Sequence, residues 1–407
     1  MKIRFALCGL ILLVVVSACQ IPAGGGGLPA VTTSLESGAT TGNQGGLAES
    51  PGPSATQITG AEATASGAAG VPVLLAHTEK QILRSNDGGQ TWQDITPAGL
   101  QEALVAAGDV FGGTLKADFS GDFGLAAISQ TSRVLVYRTG DGGINWEESV
   151  FELAEEAQSI VSVDALGEQN GWVLVSRGVG AGNEWVDLYA TQDGCASWGH
   201  LSWSSTEADP FGRIPSGGLK SGVRFSDPQT GWISGSAPIE SVYLFRSLDG
   251  GQTWQEFPLP IPEEVAMPGT SAPPEFFNED LGVIGVTVYT HADTVGVLFY
   301  WTMDGGESWQ PSAVMEGNVT AWDWLDELHG YVAEVNDAGQ TRLHTTRDGG
   351  LSWEAYPLEL AYLHKIEFVS EQVGWAICGW RNAPWAGCAG ELYRSLDGGH
   401  SWEIAHP

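Results

Sequence analysis

From residue 71 onward, short apolar runs alternate with glycine-rich polar breaks, and no segment keeps a helical period over a useful length. Runs such as Gln81-Ile82-Leu83-Arg84 and Val242-Tyr243-Leu244-Phe245-Arg246 have the length and the aromatic or β-branched content of strands. Each leads into the same break, Ser/Thr-x-Asp-Gly-Gly-x-x-Trp, after which a second strand begins. Asp-Gly-Gly between two such runs is a hairpin signal, because glycine adopts positive φ at little cost. The aspartate can accept turn N–H groups, the hydroxyl adds a local bond, and the tryptophan offers a flat surface to a neighbouring hairpin.

The break recurs seven times, with its aspartate and tryptophan at Asp87 and Trp92, Asp141 and Trp146, Asp193 and Trp198, Asp249 and Trp254, Asp304 and Trp309, Asp348 and Trp353, and Asp397 and Trp402. Successive aspartates are 54, 52, 56, 55, 44 and 49 residues apart. A looser repeat precedes each break: a strand, a turn, then Gly-Trp and another strand, as in Val223-Arg224-Phe225 with Gly231-Trp232, or Ile366-Glu367-Phe368 with Gly374-Trp375. Together they give four strands per unit, A to D, with the break between C and D. Seven four-stranded units predict an all-β fold, a seven-bladed β-propeller over 71–407, because radial closure leaves no exposed sheet edge. The first unit has B, C and D but no convincing A strand. Either 56–66 supplies it or the first blade is short.

The N-terminus has a different logic. Lys2 and Arg4 precede a 12-residue apolar stretch, Phe5 to Val16, too short to span a bilayer, which takes about 20 residues. It ends in Val16-Ser17-Ala18-Cys19, the pattern of a bacterial lipobox. Residues 1–18 therefore read as a lipoprotein signal peptide and Cys19 as the lipidated residue, placing the protein in the cell envelope, facing the periplasm or exterior. Residues 19–70, rich in Gly, Ala, Ser and Thr and without Lys or Arg, read as a disordered tether with a reach of roughly 40 Å.

Charge narrows the partners. There are 17 Lys+Arg against 49 Asp+Glu, a net charge of −32, which excludes nucleic acid because phosphate binding needs clustered basic residues. A protein or glycan partner remains, and a single propeller reads as a monomer.

The repeats resemble the BNR/Asp-box superfamily over 71–407, and the Phe-x-Asp…Gly-Trp and Thr-x-Asp-Gly-Gly-x-Thr-Trp combination is most similar to the photosystem II stability/assembly factor group. That resemblance implies a seven-bladed, non-enzymatic binding or assembly module, often a lipoprotein. Its arginine-rich client patch has no counterpart here: Arg84, Arg138, Arg246 and Arg394 all fall three residues before the turn aspartate and read as structural. The alternative from the same superfamily is an exo-acting glycoside hydrolase of the sialidase-like propeller type. Phe211-Gly212-Arg213-Ile214-Pro215 resembles the sialidase Arg-Ile-Pro motif, but it lies between the third and fourth breaks, whereas sialidases carry it before the first.

The C–D and A–B turns share one face, so the B–C and D–A loops form the other. Long loops there, 177–187, 202–220, 257–272, 287–296 and 379–390, carry Trp185, Trp203, Arg213, Trp380, Arg381 and Trp385, a candidate binding face by residue type. Cys378 and Cys388 could form a disulfide in an oxidising compartment, with two buried thiols as the alternative; Cys195 replaces a turn glycine and reads as unpaired. No His/Cys spacing suits a metal, no phosphate loop or dinucleotide fingerprint occurs in convincing context, and neither cofactor nor catalytic residue is expected.

Overall fold

Seven sheets follow one another along the chain, and the main strands of each form an antiparallel up-and-down meander in sequence order. The computed structural model describes residues 74–78, 80–107, 115–205, 213–292, 294–336, 340–360, 363–378 and 391–406. The leader, Cys19 and the tether all lie outside the described residues. The chain divides into two units, 1–58 and 59–407, and all described residues belong to the second. Blade two shows the plan: strands Lys116–Ser120, Phe123–Gln130, Arg133–Thr139 and Glu147–Glu152, each paired with the next. Blades three to seven occupy 159–215, 219–256, 265–316, 319–358 and 363–406. First strands pack on each other between blades two and three, three and four, and six and seven, which places them toward the axis. The sequence expectation of a seven-bladed propeller is met.

The repeats fold this way for a local reason that recurs. In five blades a glycine stands at the start of the second strand, Gly124, Gly231, Gly282, Gly330 or Gly374. Its absent side chain makes room for the first strand's aromatic ring, Phe119, Phe225, Phe276, Trp324 or Phe368. A Cβ at Gly374 would stand 2.6 Å from the Phe368 ring, too close to fit. The tryptophans that follow glycine at this strand start, Trp172, Trp232 and Trp375, are all fully buried. They fill the space between blades: Trp172 stacks on Phe225 at 3.8 Å, and Trp232 meets Trp309 edge-on at 5.9 Å.

The turn tryptophans refine the sequence reading, which has them packing on a neighbouring hairpin. Four also meet a ring of their own blade's first strand nearly edge-on: Trp254 with Phe225 at 6.1 Å, Trp309 with Phe276 at 6.0 Å, Trp353 with Trp324 at 5.9 Å, and Trp402 with Phe368 at 6.0 Å. Trp254 and Trp402 also close back on their turns, each donating its indole N–H to the second turn glycine, Gly251 O at 3.0 Å and Gly399 O at 2.9 Å. Trp146 is half-buried against the cluster that holds Tyr137 and Leu100, and Trp198 stacks on Phe151 within the blade two and three cluster. All seven are thus at least half-buried and packed within or between blades.

Blade one, 74–94, has three described strands, Leu74–His77, Ile82–Ser85 and Gln93–Asp94. Residues 56–66, the sequence's possible source of an inner strand, lie outside the described residues. Where other blades have glycine, blade one has Leu74, and its Cδ1 packs beside Gly89, the space filled by the aromatic ring at Gly251 and Gly399. Ring closure between blades seven and one uses side chains: Trp92 meets Trp375 at 6.5 Å, and Arg394 Nη1 donates to Gly89 O at 3.5 Å.

Four sequence expectations are corrected. A helix, Ala98–Ala107, follows blade one, where the apolar pattern predicts none. Leu100, Ala103, Leu104 and Ala107 recur at helical spacing and pack on Ile82, Leu115 and Ala126. Segments 177–187 and 287–296 are not loops. The first is the tip of a long hairpin, Asn170–Gly180 with Asn183–Thr191, closed by Ala181 and Gly182 at positive φ; the second runs through Gly282–Thr290 and Val295–Thr302. Much of 257–272 is likewise strand, Val265–Ser271.

Candidate functional site

The turn aspartates are the most repeated chemical group, and their geometry leaves them no spare capacity. In each turn the Ser/Thr hydroxyl donates to aspartate Oδ1 at 2.8–2.9 Å, as Ser247 does to Asp249. The same hydroxyl accepts the N–H of the residue two after the aspartate, at 2.8–2.9 Å. Aspartate Oδ1 accepts a second N–H four residues on, and Oδ2 accepts that residue's side-chain donor at 2.6 Å. The Thr91 hydroxyl and N–H hold Asp87 down at about 2, and bonds of the same kind lower Asp141, Asp193, Asp304, Asp348 and Asp397. A carboxylate ionised at every physiological pH and saturated with donors is a turn staple, not a general acid.

The repeat arginines also have structural work. Arg246 Nη1 donates to Gly306 O and pairs with Glu307, both in the next blade's turn, and Arg394 reaches Gly89 of blade one in the same way. Arg138 lies against Gly194 of blade three and pairs with Glu147 at 2.9 Å. These three lace blades two, four and seven to the following turn.

The axis holds a constellation that sequence reasoning missed. The residue before the first-strand aromatic, or its Ala165 equivalent, is charged in blades two to seven: Asp118, Asp164, Arg224, Glu275, Asp323 and Glu367. Closure of the ring gathers these six, each some 40 to 60 residues from the next. Three act as blade-to-blade staples: Asp118 Oδ2 accepts Ala165 N–H at 2.9 Å, Asp164 Oδ2 accepts Phe225 N–H at 2.7 Å, and Asp323 Oδ2 accepts Phe368 N–H at 2.6 Å. Arg224 Nη1 bridges Asp118 at 3.0 Å and Asp164 at 3.1 Å. On the other side Arg224 acts on Glu275 only through space, with no ion pair among the described residues. Lys365 pairs with Glu367 at 3.3 Å, while Glu275 keeps an exposed side chain despite its place on the channel wall.

Burial and neighbouring charge act on this ring in opposition. Asp164 is 1% exposed, and loss of water pushes its carboxyl up to about 7 against the pull of Arg224. Enclosure also raises Glu275, and desolvation with Glu275 and Glu367 nearby raises Asp323 well above the usual range. The signal was present in the sequence as a lone charge beside an aromatic, as in Asp323-Trp324 and Glu367-Phe368, but nothing local says that six such charges meet.

Blade three carries the second constellation, and here three predicted residues come to one end of one blade. Trp203 lies near the end of Gly199–Ser205, Arg213 leads into Ile214–Pro215, which pairs parallel with 204–205, and Trp185 opens the neighbouring strand. The Arg213 guanidinium carbon is 3.9 Å from the Trp203 ring centroid. Rings continue inward from it: Trp203 to His200 at 5.3 Å, His200 to Tyr189 at 4.8 Å, Tyr189 to Phe151 at 4.7 Å, Phe151 to Trp198 at 4.9 Å. Beneath them buried Asp187 faces His200 Nε2 at 3.2 Å and Arg177 Nε at 3.2 Å, and Arg177 also pairs with Glu155 at 2.8 Å. The Arg177–Asp187 approach is an ion pair without hydrogen-bond alignment, since Arg177 Nε has no bonded acceptor.

Two β-bulges build this end. Arg177 and Leu201 are the extra residues in their ladders, and each bulge rotates the strand beyond it. The connection 213–220 is then fastened down. Lys220 Nζ donates to the carbonyls of Glu184, Ser216, Gly217 and Gly218 at 3.0–3.2 Å, and Lys220 N–H donates to Glu184 Oε2 at 2.6 Å. Burial lowers this ammonium to about 8. Trp185 is half-buried against Gly180, whereas Trp203 is 36% exposed.

Trp380, Arg381, Trp385 and Cys388 lie outside the described residues. Cys378 is buried and disulfide-bonded, and Cys195 is a buried free thiol. Among the described residues no group of three metal-ligating side chains is placed to hold an ion, and no helix is long and apolar enough to cross a membrane.

No protein-family model matches the chain, and no curated protein matches it in sequence. Solved structures do. It is similar to the GH74 xyloglucanase from Xanthomonas campestris at 13% identity, over 82% of this chain and 52% of that one, with a TM-score of 0.51. The Hadza microbial sialidase Hz136 matches at 15% identity over 69% and 65% of the two chains, TM-score 0.43. A polysaccharide lyase of family PL25, an ulvan lyase, matches at 10% over 71% and 81%, TM-score 0.43. This chain is a β-propeller. It spans about half the length of the xyloglucanase, and at these identities the likeness speaks for the fold alone.

Proposed function

We propose that the chain is a lipid-anchored, extracytoplasmic propeller that binds a glycan through the loop-face end of blade three. The observation that carries this reading is the Trp203–Arg213 pair at 3.9 Å, part-exposed and backed by a line of rings and a buried Arg177–Asp187–His200 group. Aromatic rings and charge-assisted donors held by a rigid scaffold suit sugar faces and hydroxyls or carboxylates. Lys220 and the two bulges hold the site in place before a ligand arrives. Similarity of fold to a xyloglucanase supports glycan as the ligand class. An assembly role like that of photosystem assembly factors rests on the Ser/Thr-x-Asp-Gly-Gly-x-x-Trp resemblance alone. The test is binding of xyloglucan and sialylated oligosaccharides to the mature chain by calorimetry. Trp203→Ala and Arg213→Ala should each weaken binding at least tenfold, on the scale of about 1.4 kcal/mol; unchanged affinity would sink the assignment.

A specific observation supports a second reading, the glycoside hydrolase. Glu275 is exposed in the channel with its carboxyl raised, beside Asp323 and Glu367, a set in which one acid can hold a proton while another is ionised. Against it, Asp323 is tied to the Phe368 amide, and the ring sits toward the turn-bearing face. Turnover of a fluorogenic glycoside that vanishes in Glu275→Gln would establish this reading.

A further inference from the structure

The face that carries the Asp-Gly-Gly turns has an unexpected surface. Each turn presents two outward positions, one before the aspartate and one after the second glycine. At neither position does the side chain bond to the turn aspartate's carboxylate. Leu248, Met303 and Leu396 fill the first position in blades four, five and seven, and Leu351 fills the second in blade six. Met303 is 74% and Leu351 89% exposed, and Leu328, in the A–B turn of blade six, is exposed beside them. The turn chemistry does not ask for these residues. In blades one and three the same positions hold Asn86, Gln90, Gln192 and Ala196, and Ile144 of blade two stands alone between them. Apolar tips therefore occupy one sector, one in each of four consecutive blades.

The same sector is acidic on its inner side. The A–B turns there expose Asp227, Asp280, Glu327 and Glu371. Asp227 bonds within its own turn, and Glu371 faces Arg347 at 3.2 Å. The repeat arginine Arg246 is occupied by Glu307 and the carbonyl of Gly306, and Arg394 by Glu403 and Gly89. The sector is thus an acidic centre edged by separate apolar tips.

We propose that the turn face of blades four to seven is a second binding surface, and that it docks a basic, amphipathic polypeptide segment. Lysine or arginine on one side of that segment meets Asp280, Glu327 and Glu371, and its apolar side lies on Leu248, Met303, Leu351 and Leu396. Charge complementarity selects a polypeptide over a bacterial bilayer, whose anionic lipids the acidic turns repel. The net charge of −32, for which the repeat itself gives no reason, fits this use. This surface is on the opposite face from Trp203 and Arg213 and does not depend on them.

The mature chain is titrated with a labelled Leu/Lys peptide designed as an amphipathic helix, and with a shuffled peptide of the same composition, in physiological salt. The amphipathic peptide should bind more tightly. Replacing Met303, Leu351 and Leu396 together by Ser should weaken it about tenfold while leaving the shuffled peptide unaffected. Glu327→Lys with Glu371→Lys should weaken both peptides. These side chains lie outside the turn staples, so the variants should melt as the parent does; a variant that does not is replaced by Leu351→Ser alone, which should still weaken the amphipathic peptide. Equal binding of the two peptides, or full binding by the triple variant, overturns the proposal. Flotation with phosphatidylethanolamine/phosphatidylglycerol vesicles that depends on the same three tips also overturns it, assigning the face to lipid.

Discussion

Aspartate serves two regions of this propeller in opposite electrostatic settings. In the hairpin turns it is close to water, and short bonds from Thr91 keep Asp87 at about 2. On the axis it is sealed from water, and the same side chain at Asp164 is pushed up to about 7 although an arginine stands 3.1 Å away. Both kinds accept backbone N–H groups, so bonding alone does not explain the difference. Desolvation does: a turn carboxylate exchanges water for protein donors at little loss, while Asp164 gives up water on all sides. Turn aspartates each stabilise one hairpin, and axial ones tie two blades together.

Substitutions can undo that contrast at several points. The largest effect should come from Arg224→Met, which leaves Asp118 and buried Asp164 facing each other without a cation. Loss of about 3 kcal/mol is expected, read from the denaturant midpoint at neutral pH. A loss near zero would mean the two acids share a proton instead. A single turn should matter less: Asp249→Ala removes bonds to Thr253 and Ser247, and about 1–2 kcal/mol should go, with the m-value unchanged.

The two regions should also differ in the sign of their pH dependence. Asp164 is raised in the folded state, so its ionisation counts against the fold as pH rises between about 4 and 7. Asp87 is lowered, so its support is complete above about pH 4 and is lost as pH falls toward 2. Unfolding midpoints across this range should show Asp164→Asn flattening the upper slope and leaving the lower one intact. A wild-type slope retained in that variant would place the titration elsewhere, with Glu275 next in line. The smallest effect concerns Cys195, which stands at φ 70° where other turns have glycine and whose thiol burial pushes up to about 12. Alkylation at mildly alkaline pH should leave native Cys195 unmodified and label it after unfolding, as intact mass would show.

Much of the architecture is readable without coordinates. Asp-Gly-Gly makes a hairpin from four adjacent residues, so seven copies announce seven C–D turns wherever they occur. The helix Ala98–Ala107 escapes such a reading because Pro97 and Gly99 break the local pattern, while Leu100, Ala103 and Ala107 carry a period too short to stand out. Segment 177–187 reads as a loop because Gly178, Gly180 and Gly182 look like breaks; two of them lie inside strands, where one accompanies a bulge. Of the candidate binding residues, composition and spacing single out Trp203 and Arg213, but not the His200, Asp187 and Arg177 that lie behind them. The turn tryptophans are legible as packing groups, yet only the fold shows that Trp353 rests on Trp324 of its own blade as well as facing the space between blades.

Interactions that close within a few residues are written in the chain itself: the turns, the strand pattern and the number of blades. Everything that depends on closure of the ring is settled in three dimensions. Six charges spread over some 250 residues meet on the axis only because the first strands face one another. The apolar tips share a sector only because successive turns are set side by side. Arg213 finds Trp203 only because a clamp around Lys220 returns the chain to its own blade. Each partner is remote along the chain, and the free energy of the contact lies in the pair, so neither residue announces the other.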